Sequence, residues 1–168
     1  WFENQIHTPE YNCYGVSLPG VPGITIGFNE NVAWSMTNVG HDISDFYEMT
    51  WQDSTKQAYL LDGKYIPVEK RVETYYIKNA APIIDTVRYT QWGPVYVETV
   101  DGKNLALRWT VHDGMDDDMV GVTYKMNKSR NYTEYREAIR RFNTPAQNFV
   151  FAAKDGDIGI TVQGAFAI

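Results

Sequence analysis

Cysteine is almost missing from this chain, and its scarcity narrows the chemistry. Cys13 is the single cysteine, which excludes an internal disulfide and a cysteine-based metal site. It lies in an apolar run, where a buried, unreactive thiol is the usual outcome. A catalytic cysteine would need a histidine beside it, and His7, His41 and His112 are far apart in the sequence. We therefore expect no cysteine nucleophile.

Long apolar runs and an excess of basic residues are absent too. No apolar stretch approaches the roughly 18 residues that a membrane-spanning helix needs, so we expect no membrane partner. Lys and Arg number 15 against 21 Asp and Glu, which gives a formal net charge of -6. Because nucleic-acid phosphates bind to clustered Lys and Arg, we also expect no nucleic-acid partner.

Aromatic and apolar residues are plentiful by comparison. Aromatic residues make up 14% and hydrophobic residues 43% of the 168 residues, which excludes disorder and favours β-sheet. The length suits about one domain, and we find no repeat or low-complexity linker. We therefore expect a single domain over residues 1–168. The chain opens with neither a start Met nor a targeting segment, so we expect a piece of a longer protein.

Turn signals recur at short intervals and predict a mostly antiparallel sheet structure. The Asp-Gly pairs at 62–63 and 101–102 are typical of tight hairpin turns. The predicted hairpins pair residues 24–28 with 32–37, 58–61 with 64–68, 95–100 with 105–111, and 148–152 with 158–162. Further strands are predicted at residues 46–51, 68–78 and 83–90.

One helix is indicated near the end of the chain. Asn131 can cap it, and Glu134, three residues later, can complete a capping box. Apolar residues then recur at helical spacing as far as Phe142, and the segment before Pro145 ends the helix. The residues alone therefore predict mostly strands with one clear helix.

Two aspartates three positions apart, Asp42 and Asp45, form the main candidate metal motif. Carboxylates in a loop, with backbone carbonyls between them, suit a hard cation such as calcium. A turn or strand-start role explains the same residues without a metal, and two carboxylates do not complete a site. The acidic run at 115–118 is expected to be a solvated loop.

A hydroxyl nucleophile is not evident within the chain. Ser17, Ser35 and Ser44 are candidates by residue type, but none lies in a Gly-x-Ser-x-Gly turn. No glycine-rich phosphate loop occurs either. The residues alone therefore support a β-rich domain with a candidate oxygen-ligated cation.

Eight motifs along the chain, taken in order and at their spacing, resemble the β-chain of the penicillin-acylase family of N-terminal-nucleophile amidohydrolases. The motifs lie at residues 18–23, 26–29, 32–34, 37–38, 42–47, 93–95, 105–110 and 155–159. The resemblance implies an α+β fold of antiparallel β-sheets with few helices, part of an αββα sandwich of two stacked sheets between helical layers. It also implies that this chain is an internal fragment of the β-chain.

The resemblance implies a chemistry as well. In this family an N-terminal Ser attacks an amide carbonyl, and its own α-amine accepts the proton. An α-amine titrates near pH 8, so it can act as a neutral base. The chain begins at Trp1, so the Ser is expected outside it and the fragment alone is expected to be inactive. The expected substrate is a small N-acyl amide, such as a β-lactam side chain or an N-acyl homoserine lactone.

Individual positions are carried over from the family motif. Asn38 matches the residue whose backbone N–H helps to hold the oxyanion. Asp42 and Asp45 match two calcium carboxylates, and Ser44 matches a residue that lends its carbonyl oxygen. The second oxyanion donor and the remaining calcium ligands are expected outside this chain.

Four positions match residues that line the acyl pocket in the family: Ile26, Met36, Thr123 and Ala146. These apolar or small residues are also ordinary sheet-core residues, so both interpretations stay open.

The resemblance finally implies partners and a location. The fragment is expected to join the rest of its own precursor, the α-chain and the remaining β-chain. Exposed sheet edges also favour a homodimer of the isolated fragment. A periplasmic or secreted location is expected, with a cytoplasmic one left open. Two alternatives are a non-catalytic calcium-binding β-rich domain and a carbohydrate-binding module with exposed aromatics.

Overall fold

The computed structural model describes residues 1–96, 103–113 and 118–165. Contacts within the chain divide it into two compact units. Unit 1 contains residues 1–42 and 113–168, and unit 2 contains residues 43–112. That residues 1–168 form a single domain stays a prediction.

Unit 1 is built on a six-stranded antiparallel sheet. Its strand order is β1-β2-β3-β4-β12-β13, so the first four strands follow chain order and the last hairpin returns beside β4. The strands are β1 Phe2–His7, β2 Asn12–Ser17, β3 Ile26–Asn29, β4 Val32–Asn38, β12 Gln147–Ala153 and β13 Ile158–Gln163. The long β4–β12 pairing therefore joins the two halves of unit 1 in the middle of the sheet.

Between β4 and β12 in the sequence, the described residues form the α-helices α1 and α2. α1 spans Met119–Lys128 and begins where the side chain of Asp118 accepts the Gly121 backbone N–H at 2.8 Å. α2 spans Tyr132–Ile139 and is capped by Asn131, which accepts the Glu134 N–H at 2.9 Å. No helix in the described ranges is long and apolar enough to cross a membrane.

The core of unit 1 forms where the helices cover one face of the sheet. Alternate residues of β4 and β12 point inward, so Trp34, Phe149 and Phe151 are almost fully buried. Tyr135 of α2 packs against Phe151, with ring centroids 4.9 Å apart, and Phe142 meets Phe149 edge-on at 4.9 Å. These aromatic contacts fix the helices on the sheet.

Unit 2 consists of a five-stranded antiparallel sheet, in the order β5-β11-β10-β9-β8, and a separate β6–β7 hairpin. The strands are β5 Ser44–Glu48, β6 Ala58–Leu61, β7 Lys64–Pro67, β8 Glu69–Tyr75, β9 Ile83–Thr90, β10 Gly93–Tyr96 and β11 Leu105–Trp109, followed by a 3-10 turn at Thr110–Asp113. Met49, Tyr59 and Ala106 form its small buried core. The stacked rings of Tyr47 and Trp92, with centroids 4.2 Å apart, extend that core.

The α+β, antiparallel character predicted from the sequence is confirmed, and so are three of the hairpins. Those are β3–β4, β6–β7 and β12–β13. The strand predicted at 46–51 begins and ends earlier, at Ser44–Glu48. In the remaining predicted hairpin, 95–100 with 105–111, Val95 pairs with Ala106 and Tyr96 with Leu105. Residues 97–102, and residues 115–117 of the acidic run at 115–118, lie outside the described residues.

The expectation of few helices is confirmed, and the described residues add α1 to the one helix that the sequence clearly indicated. The sequence of α1 contains Gly121 and the β-branched residues Val120, Val122 and Thr123, all of which have low helix propensity. A prediction from local composition therefore misses this helix. The predicted capping box is altered too. The Glu134 carboxylate accepts the backbone N–H of Arg130 at 2.9 Å, while Asn131 still provides the cap.

Candidate functional site

An apolar cleft of about 650 Å³ opens in unit 1. Its lining comes from Trp1, from the segment between β2 and β3, from the end of β4, from α1, and from the residues just before β12 and at its start. No charged side chain occurs among the described residues that line it. A concave, apolar surface with a few polar groups at one end is the usual form of a small-molecule site.

The wall between β2 and β3 is a rigid proline-glycine turn. Leu18, Val21, Pro22 and Thr25 contribute to the lining. The Val21 N–H donates to the Leu18 carbonyl at 3.0 Å, and the Thr25 N–H donates to the Val16 carbonyl at 3.0 Å. Because Pro22 also has a fixed φ, the turn holds its apolar side chains in place.

The opposite wall is one face of α1. Met119, Val120 and Thr123 line the cleft from the first five residues of this helix. Phe142, which is buried beyond the end of α2, closes the cleft on the core side. The helix that the sequence did not predict therefore supplies a large part of the candidate site.

The polar end of the cleft lies where β4 meets β12. Asn38, the last residue of β4, pairs with Gln147 across the sheet. The Gln147 side chain donates to Asn38 Oδ1 at 3.1 Å, and Asn148 donates to the Asn38 carbonyl at 3.2 Å. The first contact orients the Asn38 side chain, and the second holds its main chain at the end of the apolar cleft.

The structure brings three of the sequence-predicted site residues together. Met36, Asn38 and Thr123 line the same cleft. Ala146 is buried between the lining residues Pro145 and Gln147. Ile26 is half-buried in β3, next to the lining residue Thr25. The roles predicted for these residues remain predictions.

Most lining residues were not predicted as site residues from the sequence, among them Leu18, Val21, Thr25 and Val120. The first three belong to the proline-glycine turn, and the rigidity of that turn, visible in the sequence, could have indicated a fixed wall of a site. Val120 had no such signal, because its helix was not recognised.

The predicted calcium residues fall at the division between the two units. Asp42 is the last residue of the first segment of unit 1, whereas Ser44 and Asp45 begin β5 of unit 2. All three are exposed, and the oxygens of two carboxylates and a carbonyl are donors that suit calcium. Among residues 1–96, 103–113 and 118–165, no three His, Cys, Asp or Glu side chains form a metal-binding group. The remaining ligands of such a site would have to come from elsewhere.

Cys13 is buried in the core of unit 1, with 1% of its surface exposed. Burial raises the pKa of its thiol to about 11, and the nearby Glu30 charge adds to the effect. We predict that native protein at pH 8 reacts slowly with a thiol reagent such as DTNB, because the thiolate is scarce and enclosed. Urea-unfolded protein, the matched control, should react at the rate of a free thiol. Rapid labelling of the native chain would contradict this account of Cys13.

A sequence model of the penicillin amidase family matches residues 1–168. Acyl-homoserine lactone acylase QuiP of Pseudomonas syringae pv. tomato is 32% identical over 169 residues, covering 99% of this chain and 20% of the relative. QuiP of Pseudomonas fluorescens is 33% identical over 170 residues, covering 99% of this chain and 21% of the relative. Acyl-homoserine lactone acylase PvdQ of Pseudomonas fluorescens is 29% identical over 133 residues, covering 74% of this chain and 17% of the relative.

The chain thus spans about 20% of the length of the first of these relatives. Among solved structures, a thermostable penicillin G acylase from Alcaligenes faecalis has a similar fold, with a TM-score of 0.79 at 21% identity. That similarity covers 97% of this chain and 29% of the acylase chain. It supports the antiparallel α+β architecture described above.

Proposed function

Because this chain belongs to the penicillin amidase family, we propose that it is part of an amidohydrolase that cleaves the acyl group from a secondary amide. The observation that carries the proposal is the apolar cleft of unit 1, which ends at the Asn38 main chain. A hydrophobic acyl chain fits such a lining, and its amide carbonyl would then lie beside a backbone donor. We refer to the full-length protein that contains this chain as the parent protein.

The residues of this chain would bind and orient the substrate. The proline-glycine turn and α1 would exclude water from the acyl chain, and Met36 and Thr123, which line the cleft, would contact it. The Asn38 N–H would donate a hydrogen bond to the carbonyl oxygen as it becomes negative. Such a donor is typically worth about 2.7–4 kcal/mol of transition-state stabilisation.

The nucleophile is proposed to come from outside this chain, as an N-terminal Ser generated from the precursor. Its hydroxyl oxygen would form the acyl–enzyme bond while the amide C–N bond breaks, and its α-amine would carry the proton to the leaving amine. Water would then release the acid. The rest of the precursor is thus a required partner, and a periplasmic or secreted location and self-pairing of the isolated fragment remain further proposals.

Straight-chain N-acyl homoserine lactones are the substrates we propose first, because the QuiP and PvdQ relatives are named for them. The cleft lining is apolar and uncharged, so it suits an alkyl chain. A β-lactam side-chain amide is the second class to assay.

We predict that the purified, matured parent protein releases homoserine lactone from an N-acyl substrate, measured by chromatography of both products. The 168-residue chain alone is the control and should give no turnover, because we place the nucleophile elsewhere. A parent protein that binds calcium but hydrolyses no N-acyl amide would instead support a non-catalytic binding domain. Turnover by the isolated chain would show that the nucleophile is misplaced in this account.

We also propose a structural calcium ion, held in part by Asp42, Asp45 and the Ser44 carbonyl. Replacing both aspartates by Ala should lower the melting temperature of the parent protein in calcium, because bound ligand stabilises the folded state. In excess chelator the variant and the wild type should melt together. Equal melting of the two proteins in calcium as well would remove these residues from any metal site.

A further inference from the structure

Asn127 of α1 is a fully buried amide that the proposed chemistry does not use. It has no exposed surface, and both of its polar atoms bind the main chain of Ile24. The Ile24 N–H donates to Asn127 Oδ1 at 2.8 Å, and Asn127 Nδ2 donates to the Ile24 carbonyl at 2.8 Å. The side chain therefore pairs with the turn between β2 and β3 as a neighbouring strand would.

A second contact fixes the end of the same helix. The Asn29 side chain donates to the carbonyl oxygens of Asn127, at 3.0 Å, and Ser129, at 2.8 Å. Asn29 also accepts the N–H groups of Asn31 and Val32. The end of α1 is thereby tied to the β3–β4 turn, so the helix cannot shift without breaking buried hydrogen bonds.

The turn and the helix approach each other closely at this point. A Cβ atom placed on Gly23 would lie 2.7 Å from Thr123 Cγ2 and 2.8 Å from Asn127 Oδ1. Thr123 is one helical turn before Asn127 and lines the cleft, as does Thr25 on the turn side. The spacing of the two cleft walls is therefore set where Asn127 holds Ile24.

We infer that Asn127 is a positioning residue that fixes the width of the acyl cleft and thereby selects acyl-chain length. It is absent from the described lining of the cleft, so it acts through Ile24 and Gly23 rather than by touching the substrate. The inference rests on the proposed function, since it assigns a specificity role within that same site.

The physical reason is the cost of unpaired main-chain groups. Without the Asn127 amide, the Ile24 N–H loses its buried acceptor, and the Ile24 carbonyl keeps only the Trp34 indole N–H, at 3.2 Å. The turn then relaxes to bring the Ile24 N–H to another partner. The cleft wall moves with it. Because a single methylene in an apolar pocket changes discrimination by about 10–200-fold, a small change in wall spacing alters the preferred chain length.

The test measures kcat and KM of the matured parent protein for butanoyl, hexanoyl, octanoyl, decanoyl and dodecanoyl homoserine lactones. In Asn127→Ala, the ratio of kcat/KM between dodecanoyl and butanoyl substrates should change by about tenfold or more. The kcat for the butanoyl substrate should stay within about twofold, because the reacting groups are untouched. Gly23→Ala disturbs the same contact from the turn side and should shift the profile as well.

Asn131→Ala is the matched control. It removes the cap hydrogen bond at the start of α2 and costs stability. Neither Asn131 nor Glu134 is among the described residues that line the cleft. It should leave the chain-length profile unchanged. If Asn127→Ala fails to fold, Gly23→Ala decides the matter by the same ratio.

Two failures are distinguishable. A wild-type parent protein that hydrolyses none of the series overturns the proposed function. If the wild-type enzyme is active but the Asn127 and Gly23 variants lower kcat/KM by the same factor at every chain length, only the role of Asn127 is overturned.

Discussion

Replacing Phe149 by Ala is expected to lower the free energy of unfolding by about 3–5 kcal/mol. Phe149 is 1% exposed in β12, the strand that pairs with both β4 and β13. Its ring meets Phe142, which also lines the cleft. The loss combines the removed apolar surface with the cavity left behind, since surrounding strands and helices cannot collapse into it fully.

The neighbouring residue on the same strand is the matched control. Val150 points to the other face of the sheet and is 39% exposed. Val150→Ala should therefore cost far less, within about 1 kcal/mol. Urea unfolding followed by tryptophan fluorescence measures both variants. Equal losses of unfolding free energy in the two variants would mean that the helices do not cover the face of β12 that carries Phe149.

Replacing Val120 by Trp is expected to reduce kcat/KM of the parent protein for a dodecanoyl amide by at least about 100-fold. Val120 is 60% exposed and lines the cleft from the start of α1. A larger side chain at this position can occupy the space of the acyl chain without entering the core. Since the reacting groups are unchanged, short-chain substrates should lose much less activity than long ones.

Lys125→Trp is the control for Val120→Trp. It adds the same side chain to an exposed position of the same helix, but Lys125 lines a different surface cavity. Steady-state kinetics with butanoyl and dodecanoyl substrates compares the two variants. A similar loss in both would show that the effect comes from the added indole in general and not from occupation of the cleft.

The sequence predicted those parts of the fold that local chemistry decides. Asn131 is a good cap with apolar residues at helical spacing behind it, and α2 begins there. The Asp-Gly pair at 62–63 joins β6 to β7 as expected. In both cases the signal lies within a few residues, so one sequence is enough to find it.

α1 could not be found in this way, because tertiary contacts outweigh its weak propensity. Met126 and Asn127 are almost fully buried, and the amide of Asn127 binds a turn that is 103 residues away in the sequence. No local pattern reports a partner at that separation. The same reason explains why Val120 was missed as a cleft residue.

The candidate site was predictable only in part. Met36 and Asn38 lie on β4 and Thr123 lies on α1, so two separate regions of the chain meet at the cleft, and only resemblance to a family grouped them from the sequence. Neighbouring residues of an extended chain face opposite sides, so an offset of one position separates Ile26 from the lining residue Thr25. The cleft wall between Leu18 and Thr25 depends on how the turn sits on α1, which only the fold defines.

A crystal structure of the matured parent protein with a bound fatty acid, the expected product, tests the central claim most directly. The alkyl chain should lie between the turn that carries Val21 and the α1 face that carries Thr123. One carboxylate oxygen should lie about 3 Å from the Asn38 backbone nitrogen. An alkyl chain bound elsewhere, with the unit 1 cleft free of ligand, would contradict the assignment of this cleft as the acyl-binding site.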